Sequence, residues 1–186
     1  IEKKIISSTN KTITTNYTYD FDNRLVSETN SLNKTKTYTY NKLNQVTSIT
    51  DEEWNITNYT YTYTWKVKTE TKIISSWNLT TSYTYDNKWN MTSVTDSEWN
   101  ITNYEYDELN RLVKQIYADE KEVNYIYDTN NNLVQKTDPN GTIVNYTYDS
   151  QNRLISKNIT NWNWVVWITS ETYSYDELGR MIEAND

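Results

Sequence analysis

The side chains best equipped for chemistry in this 186-residue chain are its carboxylates. Asp20, Asp86, Asp107, Asp128, Asp149 and Asp176 recur, each directly after a tyrosine, and Asp51-Glu52-Glu53 and Asp119-Glu120 form local runs. Carboxylates can hold calcium, and two of them in unlike environments can share general acid–base work. The spacing favours neither use. Calcium loops gather several oxygens within about a dozen residues, and an acid–base pair must converge on one pocket. One Asp per copy at the head of a turn has a simpler use, because its carboxylate accepts hydrogen bonds from backbone N–H groups just ahead. The chain has no histidine and no cysteine, which removes the commonest general base, the thiolate nucleophile and any disulfide framework. No catalytic residue, cofactor site or metal site is expected.

The elements that carry these aspartates repeat. Aligned on the second tyrosine of each copy, Tyr19, Tyr40, Tyr63, Tyr85, Tyr106, Tyr127, Tyr148 and Tyr175 follow at intervals of 21, 23, 22, 21, 21, 21 and 27 residues. A fixed period of about 21 is the mark of a repeat architecture. The partner tyrosines Tyr17, Tyr38, Tyr83, Tyr104, Tyr125, Tyr146 and Tyr173 stand two residues earlier, so each pair lies on one face of a strand. Three residues after the Asp position stand Asn23, Asn44, Asn110, Asn131, Asn152 and Gly179, residue types that accept positive φ. Arg24, Arg111, Arg153 and Arg180 follow, placed to pair with carboxylates or lie over tyrosine rings. A second joint, Asp138-Pro139-Asn140-Gly141, precedes the next tyrosine pair.

Each copy therefore reads as two strands and two turns. One hairpin cannot bury its own aromatic face, so successive hairpins must pair edge to edge. The expected fold is all-β: tandem hairpin repeats forming a continuous antiparallel sheet, a single array over residues 1–186 with about eight copies. The copy near 59–82 is irregular, and residues 158–170, rich in Trp, read as a lengthened loop or strand extension. Unpaired edges of such a sheet would recruit other chains, so the segment is expected to be a fragment of something longer.

Ile, Leu, Val and Phe supply only about a fifth of the residues, close to the level of disordered chains. Eighteen Tyr and eight Trp add the ring area that a disordered tail lacks. A net charge of -7 argues against general affinity for nucleic acid. There is no apolar run near the roughly 18 residues of a membrane span, and no signal peptide opens the segment.

The motif Tyr-x-Tyr-Asp-x-x-(Gly/Asn)-Arg-Leu resembles the YD repeat of RHS-repeat proteins, most strongly at Tyr104–Leu112, Tyr146–Leu154 and Tyr173–Met181. The resemblance implies a spiralling sheet closing into a hollow shell, as in bacterial polymorphic-toxin and wall-associated proteins, insecticidal toxin cocoons and teneurins. It implies a secreted or surface location, neighbouring repeats as partners, and an enclosed or appended C-terminal cargo. The core motif that ends such shells, its autoproteolytic aspartate and a toxin domain are not seen in these residues. The implied function is a non-catalytic scaffold. The alternative is an adhesive module that binds carbohydrate or cell-surface glycans through exposed Tyr and Trp.

Tryptophan departs from the motif. Trp54 and Trp99 occupy the slot of Gly141, Trp89 that of Asn23 and Gly179, and Trp77 lies in a similar context. A bulky residue is unfavourable where φ is positive. Two readings follow: true Trp forming an exposed binding surface, or glycines encoded by UGA codons.

Overall fold

The computed structural model describes residues 2–8, 11–74, 77–160 and 169–185. The chain divides into two compact units, Ile1–Thr84 with Val94–Trp99, and Tyr85–Ser93 with Asn100–Asp186. All regular structure among the described residues is β-strand. The strands are β1 (Glu2–Ser8), β2 (Lys11–Tyr19), β3 (Leu25–Thr29), β4 (Thr35–Tyr40), β5 (Val46–Thr50), β6 (Ile56–Tyr61), β7 (Val67–Ile74), β8 (Trp77–Tyr85) and β9 (Met91–Thr95). They continue as β10 (Ile101–Tyr106), β11 (Leu112–Ile116), β12 (Glu122–Tyr127), β13 (Leu133–Thr137), β14 (Ile143–Tyr148), β15 (Leu154–Thr160), β16 (Thr169–Tyr175) and β17 (Met181–Asn185).

Thr, Tyr, Val and Ile dominate these strands because branched and aromatic side chains fit a pleated surface. From β1 to β8, each strand pairs antiparallel with the next. The same holds from β10 to β17. Where a tyrosine strand meets its turn the register shifts by one residue, as between Glu105 and Tyr106, where Tyr106 faces Leu112. Such a bulge is what a hairpin loop ending in a left-handed residue produces.

Apart from Tyr19, the motif tyrosines of the described strands are half-buried, while the residues between them, Thr39, Thr60, Thr84, Glu105, Ile126 and Thr147, are exposed. Among the described residues the buried hydrophobics are Val123 (3% exposed) and Val144 (7%). Each stands two residues before a tyrosine, on the tyrosine face, where other copies carry Lys36, Thr57 or Thr102. Burial comes from neighbouring strands: Val123 lies opposite Gln115, and Val144 opposite Lys136 on one side and Ile159 on the other. Val123→Ala is expected to cost about 2 kcal/mol, from lost transfer energy plus a cavity, measured by urea denaturation.

The third copy corrects the tyrosine alignment. Its turn is headed by Thr62, with Thr62 N–H donating to Lys66 O at 2.8 Å and Trp65 N–H to Thr62 O at 3.2 Å. It has the same length and bonding as the others, so Tyr61, not Tyr63, is the second tyrosine, and the intervals around it become 21 and 24. Tyr63 sits on the turn, 91% exposed. The extra residues fall in the β7–β8 hairpin, whose ladder reaches Ile74 opposite Trp77. Within the span 158–170, β15 runs on to Thr160 and Ile159 pairs with Thr169. Residues 161–168, including Trp162, Trp164 and Trp167, lie outside the described residues.

Candidate functional site

The polar residues of each copy converge on its turn. Around Asp107, its N–H donates to Arg111 O and Asn110 N–H donates to Asp107 O, both at 3.0 Å. The same pair of backbone bonds closes the turns headed by Asp20, Asn30, Asn41, Asp51, Thr62, Asp86, Tyr117, Asp128, Asp138, Asp149 and Asp176. The fourth residue of each turn has positive φ, from 59° at Asn33 to 81° at Gly141. Both kinds of joint thus use one turn design.

The aspartate organises that turn. Asp107 Oδ1 accepts from Leu109 N–H and Arg111 N–H, each at 2.9 Å, and Oδ2 accepts from Arg111 Nε at 2.6 Å. Asp20, Asp149 and Asp176 hold Arg24, Arg153 and Arg180 in the same way. Bonds from the arginine backbone N–H, then the guanidinium, hold these four carboxyls below the ordinary aspartate value of 3.8. In Asp86 and Asp128 an asparagine replaces the arginine: Asn90 Nδ2 and Asn132 Nδ2 donate to Oδ2 at 2.9 Å.

The same side chains then reach the following repeat. Arg111 Nη1 donates to Asp128 O at 3.1 Å and to Asn131 Oδ1 at 2.9 Å, and the guanidinium lies 4.7 Å from the Tyr127 ring centre. Arg24 reaches Asn41 O, Asn44 Oδ1 and the Tyr40 ring likewise. Asn90 and Asn132 donate to Asn110 Oδ1 and Asn152 Oδ1, 20 residues on, at 3.0 and 2.9 Å. Arg153 meets Asp176 O at 3.5 Å and lies 4.7 Å from the Tyr175 ring. There the fourth turn residue is Gly179, which has no side-chain acceptor, and Arg153 Nη1 lies 3.8 Å from the place a Cβ would take.

The second tyrosine closes the joint from the other side. Tyr40, Tyr61, Tyr106, Tyr127 and Tyr148 donate their hydroxyls to Leu25, Val46, Met91, Leu112 and Leu133 carbonyls, each 15 residues back. Tyr175 makes the bond to Leu154 O across the longer interval, so the inserted residues leave the joint intact. Burial raises the phenol of Tyr127 above its ordinary value of 10.0. Tyr127→Phe is expected to cost about 1 kcal/mol, the net value of one hydrogen bond, read from the denaturation midpoint. Of the first tyrosines, Tyr38 donates to Glu28 Oε1 and Tyr173 to Glu171 Oε2, both at 2.5 Å. Among the described residues no group of three or more His, Cys, Asp or Glu could hold a metal ion.

Reading the sequence alone missed two things: the asparagines as acceptors for the preceding copy, and Trp65 as a turn residue with φ 74°. The signal for the first was present, since Asn outnumbers Gly in a slot that Gly would fill more easily.

The RHS repeat family matches residues 19–53 and 127–163. Those two stretches are RHS repeats. The turn clamps of Asp20–Arg24 and Asp149–Arg153 fall inside the matched stretches. Among solved structures, TcdB2-TccC3-Cdc42 superposes with a TM-score of 0.79 at 15% identity, covering 94% of this chain and 10% of that one. TcdB2-TccC3 gives 0.75 at 16%, covering 93% and 11%. The Tc holotoxin pore of Photorhabdus luminescens gives 0.77 at 15%, covering 94% and 10%. This chain thus has the fold of about a tenth of each of those chains. Among curated proteins none matches the sequence.

Proposed function

We propose that this chain is a non-catalytic wall segment of an RHS shell that encloses or presents a C-terminal toxin or adhesive cargo of a secreted or surface protein. Residues 1–186 then act as one array of about eight copies. The tyrosine pairs, the aspartates and Arg24, Arg111, Arg153 and Arg180 are its structural repeat motif. The carrying observation is the clamp. Arg24, Arg111 and Arg153 each bond to the aspartate of their own turn and to the next tyrosine turn, in a geometry suited to linking repeats. The likeness to the TcdB2-TccC3 fold supports the same reading.

Electron microscopy of the full-length parent protein tests it. A hollow particle with density inside, or a domain held at its rim, is the expected result. An open, extended array with neither would refute the shell. The adhesive reading draws on exposed aromatic rings, with Trp54, Trp77 and Trp99 at 82%, 76% and 84%. A glycan array probed with the chain and with its Trp54→Gly, Trp99→Gly variant separates the two. Binding lost in the variant favours adhesion, and no binding by either favours the wall.

A further inference from the structure

We infer that Trp54, Trp65, Trp89 and Trp99 are glycines in the protein as its own cell makes it, specified by UGA codons decoded there as glycine. The four have φ of 68°, 74°, 70° and 68°, beside 81° at Gly141 and 77° at Gly179. Each is the fourth residue of the shared turn, with its N–H donating to the turn's first carbonyl at 3.1 or 3.2 Å. The backbone at these positions is that of the two glycines the chain retains.

For a residue with a Cβ this conformation is sterically unfavourable, because the Cβ crowds the neighbouring carbonyl oxygen. Asparagine offsets part of that through local polar bonds, and in this fold its side-chain oxygen also accepts from the preceding copy, as Asn131 and Asn152 do. The indole has a donor and no acceptor, so it cannot take that part. Burial offers little at Trp54 and Trp99, which are 82% and 84% exposed, while Trp65 and Trp89, at 61% and 44%, cover part of their rings.

The identity of the misfits points to a codon rather than to tolerance of bulk. Tyrosine, with 18 copies, is far commoner than tryptophan in this chain, yet among the described residues none with positive φ is Tyr, Leu, Ile, Val or Thr. Apart from Glu120, the occupants are Asn, Gly and Trp. The chain has 2 glycines and 8 tryptophans, although glycine usually makes up about 7% of a protein. Trp77 opens β8 opposite Ile74 and is not among the positive-φ residues, so the geometry assigns it nothing.

A true tryptophan surface fits the placement poorly. Trp54 precedes β6 and Trp65 follows it, so the two stand at opposite ends of a six-residue strand, about 20 Å apart. The inference rests on turn geometry and residue usage and stands or falls independently of the shell reading.

Peptide sequencing by mass spectrometry, on the protein isolated from its native cells, decides it. Glycine at 54, 65, 89 and 99, with UGA in the gene, is expected. Tryptophan at any of them, or UGG codons, overturns the assignment. Strain at these turns is measured separately on recombinant chain. The variant carrying Trp54→Gly, Trp65→Gly, Trp89→Gly and Trp99→Gly should denature at a higher urea midpoint than the tryptophan form. An unchanged or lower midpoint would remove the physical ground for the inference.

Discussion

Arg111→Ala is expected to lower the stability of the chain by about 2 kcal/mol, within the range for losing hydrogen bonds that involve charged groups. The guanidinium is shared between two copies. Nε neutralises Asp107, Nη1 serves Asp128 O and Asn131 Oδ1, and the plane covers Tyr127. Truncation leaves Asp128 O with Asn131 N–H as its donor and takes the arginine donor from Asn131 Oδ1, with the side chains of both Arg111 and Asp107 only 23% exposed. Arg111→Lys should recover little, because an ammonium cannot present the planar fork that reaches Asp107 and the next turn together. Arg180 is the internal control. It holds Asp176 in the same way, but its side chain is 74% exposed and, among the described residues, it bonds to no following turn. Arg180→Ala should therefore cost a small fraction of the Arg111 value. Equal losses at the two sites, in urea denaturation, would show that the reach to the next copy contributes nothing.

Acid is expected to unfold the chain through the turns. Asp20, Asp51, Asp86, Asp107, Asp119, Asp128, Asp149 and Asp176 are all held below 3.8. A carboxyl whose folded value is depressed binds its proton more weakly than in the unfolded chain. Its contribution is complete above 3.8 and is lost as pH falls through the depressed values. Eight such groups acting together give a steep acid limb starting near 3.8. At the other end Lys34, Lys114 and Lys157 are raised above 10.5 by their glutamate partners, and burial raises Tyr61, Tyr106 and Tyr148 above 10.0. These contributions are present below the ordinary values and fade as pH rises past them. Denaturation midpoints across pH should form a plateau between the two limbs. In an Asp107→Asn, Asp149→Asn variant, Oδ1 still accepts from the backbone but no proton is taken up, so the acid limb should be shallower. An acid limb centred well above 3.8 would assign the transition to other groups.

Much of this fold was legible because the repeat is local. Tyrosines two apart mark a strand, and Asp followed three residues later by Asn or Gly marks the turn, without reference to the rest of the chain. The third copy is ambiguous in sequence because Tyr59-Thr60-Tyr61-Thr62-Tyr63 offers two overlapping pairs and has no Asp to choose between them. Thr62 does the aspartate's work: its Oγ1 accepts from Thr64 N–H at 3.3 Å and Lys66 N–H at 3.2 Å. With the frame fixed on Tyr61, Trp65 falls into the same slot as Trp89. The neighbours Asn78 and Leu79 give Trp77 the look of a turn tryptophan, but the longer β7–β8 hairpin places it in a strand. The clamp itself was not legible. Its donor and acceptor lie 20 residues apart, and only the pairing of successive strands brings Arg111 onto Asn131.

The central claim is that each copy is an ordered strand pair held by the next. Hydrogen exchange on the intact chain tests it most directly, residue by residue along β10 to β15. Protected amides in the tyrosine strands β10, β12 and β14, with faster exchange at Asp128–Asn131 in Arg111→Ala, are the result this account predicts. Tyrosine strands without protected amides would contradict it.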